Sequence, residues 1–79
     1  MIRVRLFAGL RERAGWGEQQ VPIPAGSPLP TPAHLWRQLA LGETIPPQVR
    51  VAVNQAFATD DQQLQPGDEV AFLPPISGG

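Results

Sequence analysis

Val49-Arg50-Val51-Ala52-Val53-Asn54-Gln55-Ala56-Phe57-Ala58-Thr59 is the stretch on which the reading of the fold turns. Val49, Val51 and Val53 alternate with Arg50 and Ala52, the period-two pattern of a strand with one face buried. Asn54-Gln55 then makes a tight turn into a short second strand, Ala56 to Thr59. Downstream, Gln65-Pro66-Gly67-Asp68 is another turn, and Glu69-Val70-Ala71-Phe72-Leu73 a further strand. Upstream, Ile2-Arg3-Val4-Arg5-Leu6 alternates in the same way, so Ile2, Val4 and Leu6 point inward while Arg3, Arg5 and Phe7 share the outer face.

Between these strands lie the connections. Ala8 to Gly15 is helix-compatible with Gly15 as its stop. Val21 and Ile23 suggest an edge strand limited by Pro22 and Pro24. Pro24 to Pro32 reads as an extended, proline-rich loop. Thr31-Pro32 is a helix start with Thr at the N-cap and Pro at the first helical position. Leu35, Trp36 and Leu39 make the apolar face of that helix, Gly42 is its expected stop, and Pro46-Pro47 prevents its resumption. Hairpin-sized strands around one main helix indicate an α+β roll, with the sheet wrapped around the helix.

Composition bounds what such a domain can do. The chain has 79 residues, 42% of them apolar, enough for one core and too few for a second, cofactor-binding domain. Six arginines against seven acids leave a formal charge of −1, which speaks against a phosphate-binding nucleic-acid surface. Cysteine and lysine are both absent. Without Cys there is no disulfide, no thiolate nucleophile and no common zinc framework. No apolar run approaches a signal core or a membrane span, so a cytoplasmic protein with no membrane partner is expected. His34, a lone histidine beside a helix start, makes neither a metal site nor a catalytic base. Asp60-Asp61 and Asp68-Glu69 are expected as solvated turn acids, Arg11 and Arg13 as a solvated helix face, and Trp16 and Trp36 as packing groups. No metal site is expected.

After the last strand the character changes. Residues 74–79, Pro74-Pro75-Ile76-Ser77-Gly78-Gly79, are read as an extended tail on a domain spanning residues 1–73. Pro74-Pro75 stiffens the exit, Gly78-Gly79 has no Cβ atoms, and six extended residues reach about 20 Å. Such a tail can pass a carboxylate through a narrow channel into another protein. Activating that carboxylate calls for a separate enzyme, because this chain has no phosphate-cradling glycine loop with its Lys. Ser77, without a histidine base, is read as a small spacer.

Val51 to Gln55, Leu64, Pro66 to Phe72 and the tail Pro74 to Gly79 closely resemble the molybdopterin synthase small subunits, ubiquitin-like β-grasp sulfur carriers. Ile2 to Ala8 and Leu10-Arg11-Glu12 match as well, and the resemblance is weakest between Pro24 and Gln48. The resemblance implies a mixed sheet and a C-terminal Gly79 that is adenylated by an E1-like enzyme using ATP and then converted to a thiocarboxylate. It further implies that Pro74, Pro75, Ile76, Ser77 and Gly78 insert into a large subunit. There the sulfur is given to cyclic pyranopterin monophosphate to build the dithiolene, within a heterotetramer whose reaction centre is mostly in the large subunit. No cofactor is expected on the chain itself. The positions matching Phe7, Phe57 and Leu73 are apolar contacts to the large subunit in that family. Alternatives are a sulfur carrier for thiamin thiazole or tRNA thiolation, and a ubiquitin-like interaction module without sulfur transfer. Pro-Pro ahead of Gly-Gly, in place of an Ala-Val-Gly-Gly type of end, favours the first reading.

Overall fold

The alternation in the first and last strands sets the centre of the sheet. A computed structural model describes residues 1–75, so Ile76, Ser77, Gly78 and Gly79, expected above as the end of the tail and its cargo residue, lie outside the described residues. The elements run β1 (Ile2–Leu6), α1 (Ala8–Ala14), β2 (Glu18–Val21), α2 (Pro32–Gln38), β3 (Arg50–Val53), β4 (Ala56–Ala58) and β5 (Glu69–Leu73). The strands form one sheet in the order β2-β1-β5-β3-β4. β1 and β5 pair in parallel and the other neighbours antiparallel. This is the mixed-sheet, α+β β-grasp arrangement that the sequence led us to expect.

One face of the sheet carries the core. Ile2, Val4 and Leu6 of β1 and Val70 and Phe72 of β5 are buried, together with Leu35 and Trp36 of α2 and Leu64 from the segment before β5. The rings of Trp36 and Phe72 meet edge to face with centroids 5.0 Å apart, the favoured geometry for their quadrupoles. No polar or charged residue is buried among the described residues. The two helices are of equal length, but α2 gives the core Leu35 and Trp36 where α1 gives it Leu10 alone.

Most turns follow their residues. Gly15 ends α1 in the left-handed region, its N–H donating to the Arg11 carbonyl at 3.0 Å. Thr31 caps α2, its hydroxyl accepting from the His34 backbone N–H at 3.1 Å, which makes His34 a cap neighbour. Asn54 and Gln55 both have positive φ, as a two-residue hairpin requires. The Asp68 carboxylate accepts from the Gln65 N–H at 2.8 Å and from Asn54 Nδ2 at 3.0 Å, and Asn54 Oδ1 in turn accepts from the Glu69 N–H. The Asp68-Glu69 pair is therefore more than a solvated turn: Asp68 ties the β3–β4 turn to the start of β5.

Two expectations are corrected. The second strand is Glu18–Val21, with Pro22 and Ile23 beyond it. Ile2 pairs with Val21 and Arg5 with Glu18, so the ladder runs back from the proline, which has no N–H to donate. The stop of α2 is also not Gly42. The helix ends at Gln38, and Ala40 takes the left-handed position at φ 60°. The Leu41 N–H donates to the Trp36 carbonyl and the Ala40 N–H to the Arg37 carbonyl, both at 3.0 Å, forming a Schellman motif. Gly42 is needed for another reason. A Cβ there would lie 2.9 Å from Trp36 Nε1, so the chain can cross the indole only without a side chain.

An alanine at a left-handed helix terminus carries a penalty that glycine avoids. Ala40→Gly is expected to raise stability by about 0.5–1 kcal/mol, the steric relief less the added freedom of the unfolded chain. A higher urea midpoint with an unchanged m-value would show it.

Candidate functional site: the outer sheet face and the tail exit

Because β5 alternates, Val70 and Phe72 face the core while Glu69, Ala71 and Leu73 face outward. The register then lines up the outer face strand by strand. Glu18 opposes Arg5, Arg5 opposes Ala71, Ala71 opposes Ala52, and Ala52 opposes Phe57. One step nearer the tail, Leu73 opposes Arg50, and the pairing of Leu6 with Phe72 brings the extended Phe7 alongside Leu73. Phe7, Leu73 and Phe57 thus share a single face, around the small side chains Ala71 and Ala52. Phe57 is 70% exposed, whereas Phe7 and Leu73 are half-buried. Pro74 is half-buried and Pro75 exposed, so the chain leaves the sheet at the end of the face where Phe7 and Leu73 stand.

Charge on this face is divided unevenly. The Arg5 guanidinium lies 5.1 Å from the Phe7 ring centroid, and that of Arg50 lies 5.2 Å from the Phe57 ring centroid. Each exposed contact of this kind is worth about 0.5–1 kcal/mol and holds its phenyl ring in place. Arg3 approaches Glu18 at 3.7 Å and Glu69 at 3.5 Å, and Arg5 approaches the same two carboxylates at 3.8 and 4.0 Å. These exposed pairs add little stability individually. They do neutralise the end of the face farther from the tail.

Strand parity alone places Phe7 outward with Arg3 and Arg5, and Leu73 outward with Glu69 and Ala71, opposite Val70 and Phe72. It does not single out Arg50 or Ala52, whose place beside Leu73 and Phe57 comes from cross-strand register. The signal for Arg50 was available in its position between Val49 and Val51, which makes it an outward residue on the clearest strand.

Elsewhere the chemistry is sparse. A concavity of about 820 Å³ lies between the proline-rich loop and α2. His34 and Arg37 are its only ionisable groups, so it has shape without a reactive constellation. No cluster of His, Cys, Asp or Glu among the described residues is arranged to hold a metal ion. None of their helices is long and apolar enough to cross a membrane.

Comparison with known proteins bears on family and fold. The ThiS family model matches residues 4–79. The chain is 36% identical over 84 residues to the molybdopterin synthase sulfur carrier subunit of Escherichia coli (strain K12), an alignment covering 100% of both. Its fold is similar to that of SAMP1 from Haloferax volcanii, at a TM-score of 0.78 and 24% identity over 99% of this chain and 98% of that one. It is also similar to a chain in the complex of subunits 1 and 2 of molybdopterin-converting factor from Helicobacter pylori 26695. There the TM-score is 0.62 and the identity 21%, over 99% of this chain and 97% of that one.

An exposed side chain that adds little to the core tolerates truncation. Phe57→Ala is expected to cost less than about 1 kcal/mol, the worth of one exposed cation–π contact. Phe72→Ala, on the opposite face of the same sheet, should cost about 3–5 kcal/mol. Parallel urea denaturation of the two variants checks the contrast.

Proposed function

The chain belongs to the ThiS family, and from that premise we propose that it is the sulfur-carrier small subunit of a molybdopterin synthase. The observation that carries the reading is the position of β5. It lies between β1 and β3 with Phe72 locked in the core, so the stiff Pro74-Pro75 segment starts beside Phe7 and Leu73 on an outward apolar face. A partner docked on that face receives the tail directly. The large subunit of the synthase is the partner that this reading assigns, with Phe7, Phe57 and Leu73 as its apolar anchors. The sulfur-carrier name of the Escherichia coli relative supports it.

The chemistry follows from what a carboxylate can and cannot do. The Gly79 carboxylate has no leaving group better than oxide. An E1-like enzyme overcomes this by letting a carboxylate oxygen attack the α-phosphate of ATP, with release of pyrophosphate and formation of an acyl-adenylate. A sulfide-level nucleophile then displaces AMP and leaves a thiocarboxylate. In the large subunit, that sulfur attacks a carbon of cyclic pyranopterin monophosphate and displaces an oxygen substituent of that carbon, which leaves with a proton. Water cleaves the resulting acyl–sulfur bond, leaving sulfur on the pterin and returning Gly79 to a carboxylate. Pro74 to Gly78 serve as the inserted stalk, whose last residues are slim enough for a narrow channel. ATP is consumed by the activating enzyme, so this chain needs no cofactor of its own, and the work belongs in the cytoplasm.

Incubation with the E1-like enzyme, ATP and a sulfur source should raise the intact mass by the exchange of one oxygen for one sulfur, mapped to Gly79. A variant lacking Gly79 should show no exchange and support no molybdopterin formation. If that variant still supports it, the reading is wrong. The double variant Phe7→Arg, Leu73→Arg should retain its fold and lose capture of the large subunit in a pull-down; undiminished capture removes these residues from the interface.

A further inference from the structure

On the strand residues of the outer face, Arg3, Arg5 and Arg50 stand against Glu18 and Glu69, three positive charges to two negative. That face is therefore net positive by one, on a chain whose formal charge is −1. Arg3 and Arg5 are both answered by the two glutamates. Arg50 has no carboxylate within ion-pair distance among the described residues, although Asp60 borders the same hollow. The uncompensated charge of the face is Arg50.

Its position gives that charge a use. Arg50 opposes Leu73 across the β3–β5 ladder, and its guanidinium lies over the Phe57 ring. It stands between two of the apolar residues to which the large subunit is assigned. A partner covering them strips water from Arg50, and burying an unpaired guanidinium is strongly unfavourable. The contact with the Phe57 ring uses none of the guanidinium's N–H groups on an oxygen acceptor, so they are left to donate. A carboxylate matches that planar fork, with two parallel charge-assisted hydrogen bonds. Beside it is a hollow of about 270 Å³, bordered by Ile45, Pro46, Pro47, Val49, Phe57 and Asp60, with room for the aliphatic stem of one side chain whose carboxylate turns to Arg50 and away from Asp60.

We propose that Arg50 is a specificity-determining residue of the docking face, and that the large subunit presents to it a glutamate or aspartate seated in the Phe57 hollow. The proposal rests on the assignment of this face to the large subunit. Arg5, already paired with Glu18 and Glu69, has no such role.

The test is the affinity of the full chain for the large subunit of the same organism, by calorimetry across a range of salt concentrations. Arg50→Leu keeps an aliphatic cover on Phe57 and should raise Kd roughly thirtyfold at low salt, as expected for stranding a buried carboxylate. It should also flatten the dependence on salt. Arg50→Lys, which keeps the charge but loses the planar fork, should fall in between, and Arg5→Leu should change Kd far less. Each leucine variant removes one exposed cation–π contact, so all of these variants should stay folded, with urea midpoints only slightly below that of wild type. If Arg50→Leu binds as tightly as wild type with the same salt dependence, the role of Arg50 is overturned while the docking face stands. If wild-type chain fails to bind the large subunit at all, the assignment of the face falls, and this proposal with it.

Discussion

The burial of Val70 and Phe72 in the middle of the sheet is the constraint on which the rest of the molecule depends. Both are fully covered, Phe72 by the edge of Trp36 among others, and strand alternation then leaves Ala71 and Leu73 no choice but the opposite face. β5 is hydrogen-bonded on both sides, in parallel to β1 and antiparallel to β3. Its direction and its last residue are therefore rigidly fixed. A tail attached to an edge strand or a loop would start from a movable point. Here Pro74 follows a strand held by two neighbours, so the tail starts from a point tied into the sheet.

The same alternation sorts the chemistry of the two faces. The inner face devotes its residues to aliphatic and aromatic packing, and no polar or charged residue among the described residues has to be buried. The outer face combines small residues at its centre, aromatic rings toward its margins and arginines laid on those rings. Apolar contact supplies affinity on such a surface, while charge sets orientation and partner choice. The glutamates that answer Arg3 and Arg5 lower the cost of covering that side. Arg50 has no equivalent and must find its acceptor in the partner.

Much of this was legible in the amino-acid sequence, for physical reasons that differ from element to element. β1, β3 and β5 show clean alternation because one face of each is wet. Thr31-Pro32 and Asn54-Gln55 were readable because cap and turn geometry restrict residue choice sharply. β2 was misplaced toward Ile23 because Glu18-Gln19-Gln20 has no apolar period; its strand character comes from pairing with β1 and from the ion pairs of Glu18. Gly42 looked like a helix stop since glycine usually is one. The actual stop uses Ala40 at some conformational cost, and Gly42 is reserved for the crossing of Trp36. Outward parity revealed Phe7 and Leu73. The alignment of Arg50 with Leu73 and Phe57 needed the register of three strands, which no single segment encodes.

The most direct test of the central claim is an amide chemical-shift map of the isotope-labelled chain titrated with the large subunit. The expected footprint covers Arg3 to Phe7, Arg50 to Phe57 and Glu69 to Leu73, with α2 and the loop from residue 24 to 31 unperturbed. A footprint centred on α2 and that loop, with β5 unchanged, would contradict the claim that the outer face and the tail act together.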